Sequence, residues 1–322
     1  MWRYILRRLL YIIPMMLGVS VLTFFVMKLA PGDYLDLLRL NPDVSPEAIE
    51  QLNRQFGLDQ PAYVQFGRWL WNVLHFNLGH SFNYGAPVSY LIGTRLLNTL
   101  LLSVASLALA WTFSFPAGVY AAVKAHSTYD RVLTFAAFIG LSIPNYFLAL
   151  LLLYLVVHFN LPLPVGGMTS SDFASLSTWG KVADIGRHLI VPAVVLGTAS
   201  MASLTRYLRS GMLDVLGQEY VVTARAKGLP ESRVVWKHGV RNALNVMITI
   251  FGFELGSLLN GAALTEIITG WPGMGRLVLE ALRAYDYYVV MGTVLMAGVL
   301  LVVGNLVADI LLAWADPRVR LQ

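Results

Sequence analysis

An all-α fold that crosses a membrane about six times is what this sequence predicts, and three observations predict it. The first is composition: over 322 residues, 57% are apolar and only 13% charged, with a mean hydropathy of +0.64. A soluble domain carries about a quarter charged residues, so its surface could not be built from this chain. The second is the recurrence of apolar stretches of about 20 residues, the length that spans roughly 30 Å of hydrocarbon. The third is how the basic residues are distributed between those stretches. The chain has no cysteine, which excludes disulfides, Cys-ligated metals and thiol nucleophiles.

The first stretch runs from about Leu9 to Lys28, behind the basic Arg3, Arg7 and Arg8. It is longer than the apolar core of a signal peptide, and Lys28-Leu29-Ala30-Pro31-Gly32-Asp33 is a poor cleavage site, so residues 1–30 read as a tail and a retained helix. Residues 31–95 are polar and mixed, and read as an extracytoplasmic helical region. Ser45-Pro46-Glu47 has the form of a helix start and Gly57 of its stop, which predicts a short helix over 46–56. Tyr63 to Leu74, with Phe66, Trp69 and Trp71, has the amphipathic pattern of a helix lying at an interface. Residues 96–315 read as the transmembrane core. Its spans fall near 98–123, 132–158, 189–205, 244–265 and 288–314, with a basic loop over 206–243. Residues 316–322 are a tail.

Placing the N-terminus inside puts 14 of the 23 Lys and Arg in inside segments of about 60 residues, against eight in roughly twice that length outside. That positive-inside asymmetry predicts both termini in the cytoplasm. The basic charge therefore belongs to membrane topology, and nucleic acid is not an expected partner.

Most of the inside charge lies in one loop. Glu219-Tyr220-Val221-Val222-Thr223-Ala224-Arg225-Ala226-Lys227-Gly228 reads as a short helix closed by Gly228, and Pro230 prevents its continuation. A second helix begins near Glu231 and leads through Arg241-Asn242-Ala243 into the next span. The first helix is rich in small residues, so a partner's surface can approach its backbone, and its bases sit at the C-terminal end, where they complement the helix dipole.

This segment resembles the cytoplasmic coupling loop of ABC importer permeases, in the form used by the oligopeptide/dipeptide family. The likeness is collinear over essentially the whole chain. It runs from Tyr4-Ile5-Leu6-Arg7-Arg8 and Leu29-Ala30-Pro31-Gly32-Asp33, through Gly57-Leu58-Asp59-Gln60-Pro61, Leu78-Gly79-His80-Ser81 and Ser142-Ile143-Pro144. It continues through Thr223 to Gly228 and Trp271-Pro272-Gly273-Met274-Gly275 to Asp286-Tyr287 and Asp316-Pro317-Arg318. The long region after the first helix points to the B-type member of a permease pair. Two departures stand out: Val222-Thr223-Ala224 stands where the general signature has Glu-Ala-Ala, a position at which the peptide subfamily also departs, and Asn245-Val246 stands where that subfamily often carries a proline shortly after Arg-Asn-Ala.

The resemblance implies a permease subunit of an ATP-driven importer in the bacterial inner membrane. A homologous second permease, two cytoplasmic ATPase subunits and an extracytoplasmic solute-binding protein are its implied partners. ATP and magnesium belong to the ATPases; this chain has no Gly-x-x-x-x-Gly-Lys-[Ser/Thr] sequence to cradle phosphates, and no cofactor of its own is expected. Glu219, Tyr220, Thr223, Ala224, Arg225, Ala226, Lys227, Gly228, Arg241 and Asn242 are the implied ATPase-docking set.

Six further residues are candidates for the translocation pathway. Glu254 lies in the glycine-rich Phe251-Gly252-Phe253-Glu254-Leu255-Gly256, where a carboxylate either lines a pore or hydrogen-bonds between close helices. Asn260 lies on the same span, and Glu266 at its outer end suits a structural partner of an adjacent loop. Trp271, Gly273 and Gly275 suit a re-entrant outer loop at the mouth. His75 and His80, five apart, lack the spacing of two ligands on one helical face. The competing class is a secondary-active transporter, which tends to show paired repeats with interrupted helices, and no such repeat is seen here. A membrane enzyme lacks any nucleophile–base pattern in the sequence.

Overall fold

A computed structural model describes residues 2–244, 247, 250 and 263–315. Those residues are helical, with no named strand and one isolated antiparallel bridge between His80 and Pro87. Two compact units are formed. One gathers residues 1–98 with 273–302, the other 99–272 with 303–322.

The first unit begins with α1 (Trp2–Leu29), followed by α2 (Tyr34–Arg39), α3 (Pro46–Phe56) and α4 (Ala62–Leu74). The short helices form where the local chemistry asks for them. Asp33 and Asp36 make a reciprocal capping box at α2. Ser45 accepts from the Ala48 amide, Pro46 occupies the first position of α3, and Gly57 closes it at φ +64°. The unit is completed by the start of α5 (Val88–Val123), α12 (Met274–Arg283) and most of α13 (Tyr287–Ala315). Its core is Phe82, Val88, Ile92, Leu277, Tyr287 and their neighbours. One buried carboxylate ties it together. Asp286, ahead of α13, accepts from Ser81 Oγ at 2.5 Å and from the Asn83 amide at 3.1 Å. Burial pushes its carboxyl above the usual range, against the hydrogen bonds that pull it back.

The second unit holds the rest of α5, then α6 (Thr128–Ser142), α7 (Asn145–His158) and the 39-residue α8 (Thr178–Leu216). After these come α9 (Glu219–Ala226), α10 (Glu231–Arg233), which runs into a π-helical turn over Val234–Val240, and α11 (Ala263–Ile268). The C-terminal half of α8 is the axis of this unit. Leu204, Leu208 and Met212 are buried against Ala110, Val119 and Ala122 of α5 and against Val235, Val240 and Ala243. Small residues let the helices approach. A Cβ at Gly197 would lie 3.1 Å from the Ser106 carbonyl oxygen, and one at Gly118 would lie 3.0 Å from that of Thr205.

Four described helices are long and apolar enough to span a membrane, and the α6–α7 pair makes a fifth candidate. The sequence suggests one span over 132–158, but the chain bends by 101° between α6 and α7. Pro144 is the cause. The residue before a proline is pushed out of the helical region, and Ile143 is extended at φ −81°, ψ 119°. The span expected over 189–205 is the middle of α8, which runs on at both ends. The span expected over 244–265 lies mostly outside the described residues.

Candidate coupling site and translocation pathway

Helix α9 has no side-chain cap at its start, and its end is closed by backbone geometry. The Gly228 amide donates to the Arg225 carbonyl at 2.9 Å and the Leu229 amide to that of Ala224 at 3.3 Å, the paired bonds of a Schellman motif. Gly228 carries φ +75°, a left-handed conformation that favours glycine, and a Cβ there would meet nothing within 4 Å. The glycine is therefore required by the backbone, not by crowding.

Across this turn Arg225 grips Glu231 with two bonds, Nη2 to Oε1 at 2.8 Å and Nε to Oε2 at 3.2 Å. The guanidinium holds the Glu231 carboxyl below its ordinary range. The two ends of the Gly-Leu-Pro turn are thus pinned by side chains as well as by backbone.

The faces of α9 divide cleanly. Val221 and Ala224 are buried, while Glu219, Tyr220, Thr223, Arg225, Ala226, Lys227 and Gly228 are exposed. One detail of the sequence reading changes here. Ala224 does not offer its small side chain to a partner but packs inward, because α9 rests on α8 and on the Glu231–Val240 segment. Of the small residues, Ala226 and Gly228 remain on the open face. Arg241 and Asn242 are also exposed, and Asn242 Nδ2 donates to the His238 carbonyl at 2.7 Å.

Between α6 and α8 lies a pair that the sequence did not single out. Asp130, in the first turn of α6, receives Arg209 of α8 in two bonds, Nε to Oδ1 at 2.5 Å and Nη2 to Oδ2 at 2.7 Å. The Asp130 side chain is 4% exposed and that of Arg209 26%. The His126 amide donates to the same carboxylate at 2.8 Å. A buried bidentate pair of this kind fixes two helices in register. Both residues could be read as ordinary inside charge, and no sequence signal pairs positions 79 apart.

The candidate pathway residues fare differently. Glu254 and Asn260 lie outside the described residues. Glu266 is fully buried, and Thr99 of α5 donates a hydrogen bond to it at 2.9 Å. Trp271 is fully buried in a cluster with Leu102, Ala193 and Leu196. Gly273 is extended at the start of α12 and Gly275 sits within its first turn. The glycine with a positive φ in this stretch is Gly270, at +67°, where a Cβ would lie 2.9 Å from the Gly167 amide nitrogen. The Gly167 amide donates to the Thr269 carbonyl at 2.9 Å, which fastens the loop before α8 to the end of α11. His75 makes a local bond, with Nδ1 2.8 Å from the Trp71 carbonyl oxygen.

Residues 114–321 match the family described as binding-protein-dependent transport system inner membrane component, and residues 1–103 match that family's N-terminal model. The chain belongs to this family. As a binding-protein-dependent transport component it is a multi-pass membrane subunit, in keeping with its apolar helices.

Among relatives, it is 47% identical to the oligopeptide transport system permease protein AppB of Bacillus subtilis, over 98% of this chain and 99% of that one. It is 39% identical to the dipeptide transport system permease protein DppB of Escherichia coli, over 99% of each. Among solved structures, a chain of the MetNI methionine ABC transporter shares the fold with a TM-score of 0.56 at 15% identity. That match covers 71% of this chain and 97% of the other. A chain of an amino acid ABC transporter gives 0.52 at 15% identity, covering 71% and 94%. At that identity the likeness concerns fold alone.

Proposed function

We propose that this transport component is the permease subunit of an ATP-driven importer of peptides in a bacterial inner membrane. The observation that carries the reading is the near-complete alignment with oligopeptide and dipeptide permeases at 39–47% identity. The geometry of α9 supports it. In this reading the chain pairs with a homologous permease, receives solute from an extracytoplasmic binding protein and leaves ATP hydrolysis to two cytoplasmic subunits. Both termini lie in the cytoplasm, as the charge asymmetry suggests.

The exposed face of α9, from Glu219 to Gly228 with Arg241 and Asn242 nearby, docks on an ATPase subunit. The mechanical case is specific. A push on a flexible loop is dissipated, whereas α9 is closed by a Schellman turn, pinned by Arg225–Glu231 and seated through Val221 and Ala224. Closure of the ATPase dimer therefore moves α9 as a body. The motion passes to α8, on which α9 rests, and from α8 to α6 through Asp130–Arg209. Glu254, Asn260, Glu266, Trp271, Gly273 and Gly275 belong to or border the solute path. Glu266 and Trp271 act from buried positions, as supports of the wall.

The test is uptake of labelled di- and oligopeptides into vesicles that contain the complete assembly. Uptake is expected to need enclosed ATP and the binding protein and to survive collapse of ion gradients. Uptake that follows a proton or sodium gradient without ATP would establish the secondary-active alternative instead.

A further inference from the structure

We infer that Arg95 and Arg283 form a docking point for an acidic side chain of the solute-binding protein, a proposal that rests on the importer reading above. Both arginines lie in segments that the charge asymmetry places outside, where basic residues are sparse. They line an open cleft of about 560 Å³ in the first unit, together with Glu280, Tyr84 and Asn83.

The charge in this cleft does not cancel. Glu280 is its only carboxylate, and both of its oxygens are taken. Arg276 Nε donates to Oε1 at 2.7 Å and Tyr84 Oη to Oε2 at 2.6 Å. Arg276 by direct contact and Arg95 through space both favour the Glu280 carboxylate, so three arginines share one negative charge and the wall keeps a net positive charge. Among the described residues, neither has a hydrogen-bond or ion-pair partner. Two other arginines of this unit are paired, Arg39 of α2 with Asp36 and Arg54 of α3 with Glu50.

Helix dipoles do not account for both cations. Arg283 sits in the last turn of α12, where a cation is favoured. Arg95 sits near the N-terminal end of α5, where it gains nothing of that kind. The cleft is also built to hold its shape. Ser81 and the Asn83 amide are bound to buried Asp286, and Tyr84, from the same loop, reaches Glu280.

Two guanidiniums on a fixed wall are matched to a carboxylate, which either can grip with two bonds. The cleft is an open surface feature, so it suits a group carried on a protein that arrives, docks and leaves, more than a solute that must be enclosed. Charge complementarity of this kind accelerates encounter and weakens with salt.

The experiment measures association of the binding protein with the complete importer, held in discs of zwitterionic lipid, from low to high ionic strength. Wild-type affinity should fall as salt rises, with or without peptide on the binding protein. The Arg95→Glu/Arg283→Glu variant should bind about tenfold or more weakly at low salt, mainly through slower association, and lose most of the salt dependence. An Arg283→Lys variant treated with a carbodiimide, which joins an amine to a carboxylate with loss of water, should yield an adduct at position 283 to an Asp or Glu of the binding protein.

Wild-type affinity that ignores salt overturns the proposal, however well the variants fold. Affinity of the double variant within twofold of wild type overturns it too, as does salt dependence that appears only when peptide is bound, which would assign the cleft to the solute. In all three cases peptide uptake by the wild-type importer leaves the functional reading standing. A binding protein that neither docks nor supports uptake removes both.

Discussion

Helices α3 and α9 end in the same way and are held in opposite ways. Each is followed by a left-handed glycine, Gly57 at φ +64° and Gly228 at φ +75°, and each closes with the same two backbone bonds. Helix α3 packs through Ile49 and Phe56 and adds support of its own: the Ser45 cap, Pro46 at its first position and an Arg54–Glu50 pair along its exposed face. Helix α9 has no side-chain cap and takes its support from outside itself, from Val221 and Ala224 against the chain and from Glu231 beyond the turn. A self-supporting helix keeps its shape wherever it is placed. A helix supported by its neighbours moves when they move. That difference is the physical basis for assigning transmission to α9 and scaffolding to α3.

The strongest way to break the comparison is through two ion pairs, Asp130–Arg209 beside α8 and Arg54–Glu50 on α3. Asp130→Asn removes the charge that Arg209 grips in a largely buried setting, and should cost roughly 3 kcal/mol. Arg54→Ala breaks a pair exposed on both sides, worth about 0.5 kcal/mol or less. Thermal unfolding in detergent should show a large loss for the first and almost none for the second. Asp130→Asn should also lower peptide carried per ATP hydrolysed, since α6 would no longer follow α8. Equal melting temperatures for the two variants would remove the register-fixing role.

Next comes the shared turn. Valine at a left-handed position is strained by roughly 1–2 kcal/mol, so Gly57→Val and Gly228→Val should destabilise their turns similarly. A Cβ at Gly57 also meets Arg68 Nη1 at 3.0 Å, whereas one at Gly228 meets nothing within 4 Å. Arg68 is exposed and its guanidinium can swing aside, so the two variants should melt at similar temperatures. Gly228→Val should be the one that uncouples hydrolysis from uptake in vesicles. Normal uptake and hydrolysis in the Gly228→Val assembly would show that α9 is not the coupling element. A smaller contrast lies at the helix starts. Ser45→Ala should cost about 1 kcal/mol, read by denaturant unfolding, and Gln218→Ala close to nothing, because the Gln218 side chain makes no cap.

These contrasts follow what could be read before the structure. Local chemistry was legible: Ser-Pro-Glu and Gly57 bound α3 to the residue, and Gly228 with Pro230 places the turn after α9. Amphipathic Tyr63–Leu74 appears as α4 within one residue. Pairings between distant positions were not legible. Asp130–Arg209, Ser81–Asp286 and Tyr84–Glu280 join residues 79 to 205 apart, and each partner alone looks like an ordinary surface charge or hydroxyl. The inward turn of Ala224 was hidden for the same reason. An eight-residue helix carries too few apolar positions to declare its buried face, and that face is set by α8. The bend at Pro144 was written in the sequence, but the apolar run through it is long enough to pass for one span.

The finest contrast is electrostatic and depends on pH. Arg225 holds Glu231 below its ordinary value of 4.5, so the pair contributes stability above that value and loses it as pH falls through the lower, folded value. Both groups are about half exposed, so the contribution is modest and screened by salt. It acts on the turn alone, and global unfolding will not report it. Amide exchange at Gly228 and Leu229 will, since their bonds to Arg225 and Ala224 close that turn. Wild type and Glu231→Gln should be compared at each pH, which removes the intrinsic pH dependence of exchange. Protection should be greater in wild type at pH 7 and the difference should vanish once pH drops below the carboxylate range. The turn after α3 should show no such pH-linked change in the same two proteins, because its closing bonds have no ion pair across them. A difference between wild type and Glu231→Gln that persists unchanged at low pH would mean that the carboxylate holds the turn by shape and not by charge.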